Sequence, residues 1–129
     1  MNLYNITEMK IAIVGSRDYH KYDIIKTTMD QIRENMKKQG LEIIEIVSGG
    51  ASGVDTLARQ YAEENKLQFK EFPADWAQYG KSAGPMRNQQ IVNYSDYVVA
   101  FPSGPSHGTR DTIKRAIKVG KLALIVELA

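Results

Sequence analysis

Five short apolar runs, each ending in or near a turn and alternating with amphipathic stretches, set the limits on what this chain can fold into. The first, "KIAIVG" (10–15), is rich in β-branched residues and stops at glycine, as a strand buried on both faces does. Ile25, Met29, Ile32 and Met36 then recur at steps of four and three, lining one face of a helix that stops near Gly40. "LEIIEIVSGG" (41–50) predicts a second strand, and Val54, Leu57, Ala58, Tyr61 and Ala62 predict a second helical stripe. "LQFKEF" (67–72) reads as a third strand and 73–80 as a loop, with Pro85 in the first turn of a helix reaching about Tyr94. "DYVVAF" (96–101) is a fourth strand. Ile113, Ala116 and Ile117 mark a last helix, with Lys114, Arg115 and Lys118 suited to its negative end and Gly120 as its stop. "LALIVEL" (122–128) supplies a fifth strand. Strands separated by helices imply an α/β fold: a Rossmann-like three-layer sandwich with a five-stranded, mainly parallel sheet covered on both faces.

A chain of 129 residues, 43% of them hydrophobic, fits one domain spanning 1–129 with a real core. The net charge of +2 comes from lysines and arginines spread without a block, so charge alone does not point to duplex DNA. With no cysteine, disulfides, thiolate metal sites and a cysteine nucleophile are excluded, and a reducing compartment fits. Any metal would rely on two histidines and on carboxylates. No apolar stretch approaches the roughly 20 residues of a membrane span, and "MNLYNITEMK" lacks the apolar core of a signal peptide. The expectation is a cytoplasmic protein without a membrane partner.

In open parallel sheets, ligands sit outside the carboxyl ends of the strands. Three loops at such ends carry unusual residues: "GSRDY" (15–19), "SGGASGVD" (48–55) and "PSGPSHGT" (102–109). Each sets glycine or a small hydroxyl residue before a helix, whose unpaired N–H groups and positive dipole end favour an anion. Together they suggest a phosphate pocket. Gly49, Gly50 and Gly53 approximate a dinucleotide fingerprint, but follow the second strand rather than the first, which argues against a standard NAD site. Gly80, Lys81 and Ser82 imitate the end of a Walker loop, yet Asp75 stands where its first glycine belongs and no strand runs into it.

Bland roles compete at each position. "SGGASGVD" is also a serviceable capped turn, and Arg17 with Asp18 a surface ion pair of little value. His107 is read first as a loop residue. Trp76 and Tyr79 either cap the core or offer a face for a base. Met29, Met36 and Tyr61 suit the core better than a homodimer face, the other use considered for them.

"VSGGASGVDTLARQYAEE", "FPADWAQYGKSAGPMRNQQIV", "SDYVVAFPSGPSHGT" and "AIKVGKLALIV" together closely resemble the YspA and YpsA-related branch of the SLOG superfamily, from about Lys10 to Val126. The ordered set of glycine turn, "ADW", "GPMRN" and "GT" carries the resemblance. Better-known members of the superfamily are the cytokinin-activating phosphoribohydrolases, often mislabelled lysine decarboxylases, and the DNA-processing protein of natural transformation. The resemblance implies a Rossmann-like domain that binds a nucleotide or nucleotide-derived ligand across the strand ends. The phosphoribohydrolase motif PGGxGTxxE corresponds loosely to Pro102, Gly104, Gly108 and Thr109, with two additional residues between the glycines. Thr112 stands in the place of its glutamate, where a threonine cannot act as general base at neutral pH. Asp111 lies one residue, about 100° of helix, from that place. The relatives' arginine matches Arg87, suited to a bidentate phosphate contact, with Asn88 beside it for a ribose hydroxyl.

The resulting expectation is a nucleotide-binding or ligand-sensing module. Gly15, Ser16, Gly49, Gly50, Ser52, Gly53, Pro102, Gly104, Gly108 and Thr109 belong to its phosphate-holding turns. Arg17 and Arg87 add charge, Asp55 and Asp75 meet sugar hydroxyls or a divalent cation, and Trp76 covers the base. The first alternative is a nucleotide-processing hydrolase using Asp55, Asp75 or Asp111. The second is single-stranded DNA binding, which would ask for a basic, aromatic stripe.

Overall fold

The computed structural model describes residues 5–129. Residues 1–4, which head the segment read above for a signal peptide, lie outside that range. The strands are β1 (Thr7–Gly15), β2 (Leu41–Ser48), β3 (Gln68–Glu71), β4 (Tyr97–Phe101) and β5 (Leu122–Ile125). The helices are α1 (Tyr22–Lys38), α2 (Val54–Glu64), α3 (Trp76–Tyr79), α4 (Ala83–Tyr94) and α5 (His107–Lys118). The strands form one sheet in the order β3-β2-β1-β4-β5, and every pairing is parallel.

β1 is the central strand and shows why its second half, Ile11 to Gly15, is apolar. Met9, Ile11 and Ile13 pack on one face with Ile25 and Met29 of α1 and Tyr61 of α2, while Ala12 and Val14 pack on the other with Ile91 of α4 and Ile113 of α5. From Ile11 to Val14 alternate side chains thus feed two cores, and these four positions leave no place for a polar residue. Each fully buried isoleucine contributes about 1.5–3 kcal/mol of burial. Met29 and Tyr61 are fully buried and Met36 packs against the same cluster, so these side chains belong to the core and not to a dimer face.

The chain winds outward from β1 through β2 to β3, then crosses back to place β4 on the other side of β1. The winding reverses between β1 and β4, where a crevice opens at the carboxyl ends. Two expectations need correction. Residues 73–80 contain the short helix α3, capped by Asp75, whose Oδ1 accepts from the Gln78 amide at 3.1 Å, and a 3₁₀ turn at Gly80–Ser82 leads into α4. The last strand ends at Ile125 rather than 128, although Leu128 still bridges to Ser103 beyond β4. Among the described residues, no helix is long and apolar enough to cross a membrane.

Candidate functional site

The turn after β1 is fixed first, because everything else leans on it. Ser16 donates its amide to the Phe101 carbonyl at 3.0 Å and accepts the Val54 amide at 3.0 Å, locking the ends of β1 and β4 to the start of α2. Gly15 permits this approach: a Cβ there would stand 2.6 Å from the Phe101 carbonyl and 2.7 Å from Val54. Gly53 is more constrained still. Its φ of +71° and ψ of −126° are poor for any residue with a side chain, and a Cβ would run into the carbonyls of Ser16 and Arg17. The Ser52 hydroxyl completes the seam by donating to the Arg17 carbonyl at 3.1 Å.

Asp55, in the first turn of α2, organises the glycine turn after β2. Its Oδ2 accepts the Ala51 amide at 2.9 Å and its Oδ1 accepts the Ser48 hydroxyl at 2.9 Å. Burial pushes the Asp55 carboxyl above its ordinary value, opposed by the Ala51 amide, the Ser48 hydroxyl and the guanidinium groups of Arg87 and Arg17. From α4, Arg87 reaches the same turn, donating from Nη1 to the Gly49 carbonyl at 2.6 Å. Burial lowers its affinity for the proton, Asp55 opposes that shift, and a guanidinium stays charged regardless. Neither Arg17 nor Arg87 takes part in the ion pairs formed among the described residues.

The amide donors are as open as the arginines. Among the described residues, the backbone N–H groups of Gly49, Gly50, Ser52 and Gly53 find no protein acceptor, nor do those of His107, Gly108 and Thr109 in the first turn of α5. Of these, Gly49, His107, Gly108 and Thr109 border a pocket of about 460 Å³ lined from three strand ends, by residues such as Ser16, Arg17, Asp55 and Arg87. A smaller depression of about 240 Å³ adjoins it, lined by Gly50, Ser52, Pro73, Ala74 and Trp76, and shares Arg17, Gly49, Ala51 and Arg87 with the first. Trp76 is 51% exposed there.

The structure therefore brings most of the expected residues together and moves others away. Gly15, Ser16, Arg17, Gly49, Asp55, Arg87, Asn88, Gly108 and Thr109 line the larger pocket, and Gly50, Ser52 and Trp76 line the smaller. Gly53, Asp75, Pro102, Gly104 and Asp111 line neither. Asp75 is the cap of α3. The Pro102 carbonyl accepts from Leu128, and that of Gly104 accepts from Arg110 Nη2 at 2.6 Å. Asp111 is held by Arg115 Nε at 2.8 Å and by Asn88 Nδ2 at 3.0 Å. Asn88 spends its other donation on the Gly108 carbonyl at 3.2 Å and accepts from Arg87 Nε, so it ties α4 to α5 instead of offering a free amide to a ribose. Arg17 and Asp18 form no ion pair; the Asp18 amide turns back to the Ser16 hydroxyl at 3.3 Å.

Thr112 does line the pocket, with its hydroxyl donating to the Gly108 carbonyl at 3.1 Å. The carboxylates among the pocket's lining residues are those of Asp18 and Asp55. Among the described residues, no three His, Asp or Glu side chains gather as a metal site would require. Ser103 and Ser106 also line the pocket and were not singled out from the sequence. Ser106 caps α5 in the left-handed region, at φ +42°, and its lone signal was the small-residue cluster before the helix.

Comparison with known proteins agrees with this fold. DNA processing protein A from Helicobacter pylori, a protein with a unique single-stranded DNA binding mode, superposes with a TM-score of 0.61 at 23% identity, over 95% of this chain and 67% of that one. DNA processing protein A from Streptococcus pneumoniae superposes with a TM-score of 0.65 at 22% identity, over 96% of this chain and 52% of that one, so this chain spans about half its length. At such identities the likeness is one of fold. The Gene 61 protein of Mycobacterium phage D29 is 32% identical over 117 residues, covering 86% of this chain and 90% of that protein. The YspA, cpYpsA-related SLOG family matches residues 9–79, which include β1 and the glycine turn after β2 but stop short of Arg87 and α5. By that match over more than half its length, with a phage relative alike along most of its own, this chain belongs to the YspA, cpYpsA-related SLOG family.

Proposed function

We propose that this chain binds a nucleotide or nucleotide-derived phosphate ligand at the carboxyl ends of its strands. One observation carries the reading: the turn after β2 and the first turn of α5 present four amides without protein acceptors, those of Gly49, His107, Gly108 and Thr109, beside two guanidinium groups without ion-pair partners, around one pocket. An anion satisfies both sets, through helix and turn N–H groups and through charge-assisted bonds from arginine. Trp76 at the edge of the site offers a face for the base. Calorimetric titration with AMP is the test, with saturable binding expected and a weaker affinity in Arg87→Ala. Absence of binding at millimolar AMP would remove the reading.

Binding without turnover is favoured over hydrolysis, because the position of the relatives' glutamate holds Thr112, already donating to Gly108. Release of adenine or ribose 5-phosphate during incubation with AMP would reverse that preference.

Single-stranded DNA binding is a second reading. It draws support from the likeness to the Helicobacter pylori protein and from Trp76 and Tyr79, exposed together on α3 next to Lys81. Oligonucleotide affinity that falls steeply with salt, and falls again in Trp76→Ala, is the expected signature.

A further inference from the structure

The two edges of the sheet are built differently. β3, at one edge, carries Lys70 and Glu71, and Glu71 is paired with Arg59 at 2.7 Å. Charge on an edge strand deters a second chain from adding to it. β5, at the other edge, reads "LALI" (122–125), with neither a charge nor a proline. Leu124 is 41% exposed there and Ile125 37%.

The backbone of that edge is open as well. The Val126 and Leu128 amides donate inward, to the Ala100 and Pro102 carbonyls, each at 2.8 Å. Successive amides of an extended chain alternate in direction, so those of Ile125 and Glu127 face away from β4. Among the described residues, the Glu127 amide finds no protein acceptor.

Helix α5 continues the surface. From that side of the helix Arg110 reaches Glu127, through bonds of 2.9 and 3.0 Å. Ile117 stands about two turns further on, hence on the same side, and is 57% exposed. Ile125 lies opposite Ala100, whose side chain packs with Ile113 and Ala116 of α5, so Ile117 and Ile125 border one apolar patch.

The charges at its rim select the occupant. "KLALIVE" (121–127) has a cation at one end and an anion at the other. Turned antiparallel on itself about Leu124, it sets Lys121 alongside Glu127 of the second copy, and no like charges meet. Both groups have capacity left. Lys121 spends two of its three N–H groups on the carbonyls of Val92 and Asn93, and the Glu127 side chain is 59% exposed despite Arg110. A two-fold arrangement uses the same patch on both molecules and closes.

We propose that β5 is a self-association edge, and that its occupant is the β5 of a second copy of this chain, paired antiparallel about Leu124. Two five-stranded sheets then join into one of ten strands, with Ile117 of each α5 beside the seam.

Sedimentation equilibrium tests this, and the expected mass is that of two chains. Leu124 faces its own counterpart across the two-fold axis. Leu124→Glu and Leu124→Lys are therefore each expected to weaken association by at least about tenfold, and an equimolar mixture of the two to restore it. Leu124→Cys gives a second measurement, in a chain with no cysteine of its own. Its amide faces β4 like that of Val126, and opposed residues of such a pair stand about 4.5 Å apart at Cα, within reach of a disulfide. Oxidised glutathione is expected to convert Leu124→Cys to a covalent dimer and to leave Lys70→Cys, on the charged edge, as single chains. A wild type that sediments as one chain at submillimolar concentration overturns the proposal, as does a mass that keeps rising past two copies. Cross-linking of Lys70→Cys as readily as Leu124→Cys overturns the choice of edge. A mixture of the Glu and Lys variants that stays monomeric overturns the register.

Discussion

Arg87 and Gly49 are joined by a 2.6 Å hydrogen bond from the guanidinium to the carbonyl, which ties helix α4 to the glycine turn after β2. The bare backbone at 49 is a condition of that contact, since a Cβ there would stand 2.5 Å from Arg87 Nη1. One arginine thus shapes the turn and charges the pocket.

Replacing Arg87 tests both roles. Arg87→Ala is expected to weaken AMP binding by about 10- to 150-fold, the loss of about 1.5–3 kcal/mol for a charged hydrogen bond. It also strips the Gly49 carbonyl of its side-chain donor, so the thermal midpoint should fall as well. Arg87→Lys keeps the charge but not the planar fork, and an intermediate affinity is expected in calorimetry.

Gly53 and Gly104 make a paired comparison. Both have positive φ, +71° and +56°, but a Cβ at Gly53 meets the carbonyls of Ser16 and Arg17 while one at Gly104 meets nothing within 4 Å. Gly104→Ala is expected to cost about 1–2 kcal/mol, the strain of a left-handed residue. Gly53→Ala adds overpacking of about 1–3 kcal/mol to a conformational cost of similar size. Urea unfolding of the two variants should therefore separate clearly, with Gly53→Ala the less stable.

The features legible in the sequence were those that one segment encodes by itself. β1 announced itself because both its faces are buried, and the glycine turns did so because bare backbone leaves a mark in composition. Helix α3 escaped because four residues make no apolar stripe; Trp76 and Tyr79 are both exposed, and the Asp75 cap alone signals its start. β5 was read too long because Leu128 is buried like a strand residue, and burial says nothing about the ladder. Asn88 and Asp111 show a different limit. Their hydrogen bond spans 23 residues, and no local spacing reveals that it consumes the groups a ligand would need. Asp75 likewise carries a carboxylate at a strand's carboxyl side, but its backbone places it as a cap.

Helix ends supply a prediction outside the site. α2 and α5 finish in the same way: the Leu67 amide donates to the Ala62 carbonyl and that of Lys121 to the Ala116 carbonyl, each at 2.9 Å. The left-handed residue in this motif is Gly120 after α5 but Lys66, at φ +55°, after α2. Lys66→Gly relieves about 1–2 kcal/mol of strain against about 0.5–1 kcal/mol of added chain entropy. A rise of a few degrees in thermal midpoint is expected. Lys66→Ala, which keeps the strain, should show no such rise.

Asp55 gives the stability one pH-dependent component, opposite in sign to that of Asp30 and Asp111, whose carboxyls are lowered. Burial raises its carboxyl above the ordinary value, so between the unfolded value of about 3.9 and the folded one, the folded chain binds more protons than the unfolded chain. The stability this group contributes is fully present below the unfolded value and is lost as pH rises through the folded one. Asp55→Asn removes the titration, so the stability of the wild type relative to this variant should decline from about pH 4 to pH 7 in urea titrations. A relative stability that climbs over that interval would mean that the Ala51 amide and Ser48 hydroxyl outweigh burial, because bonds to the ionised form depress a carboxyl where desolvation raises it.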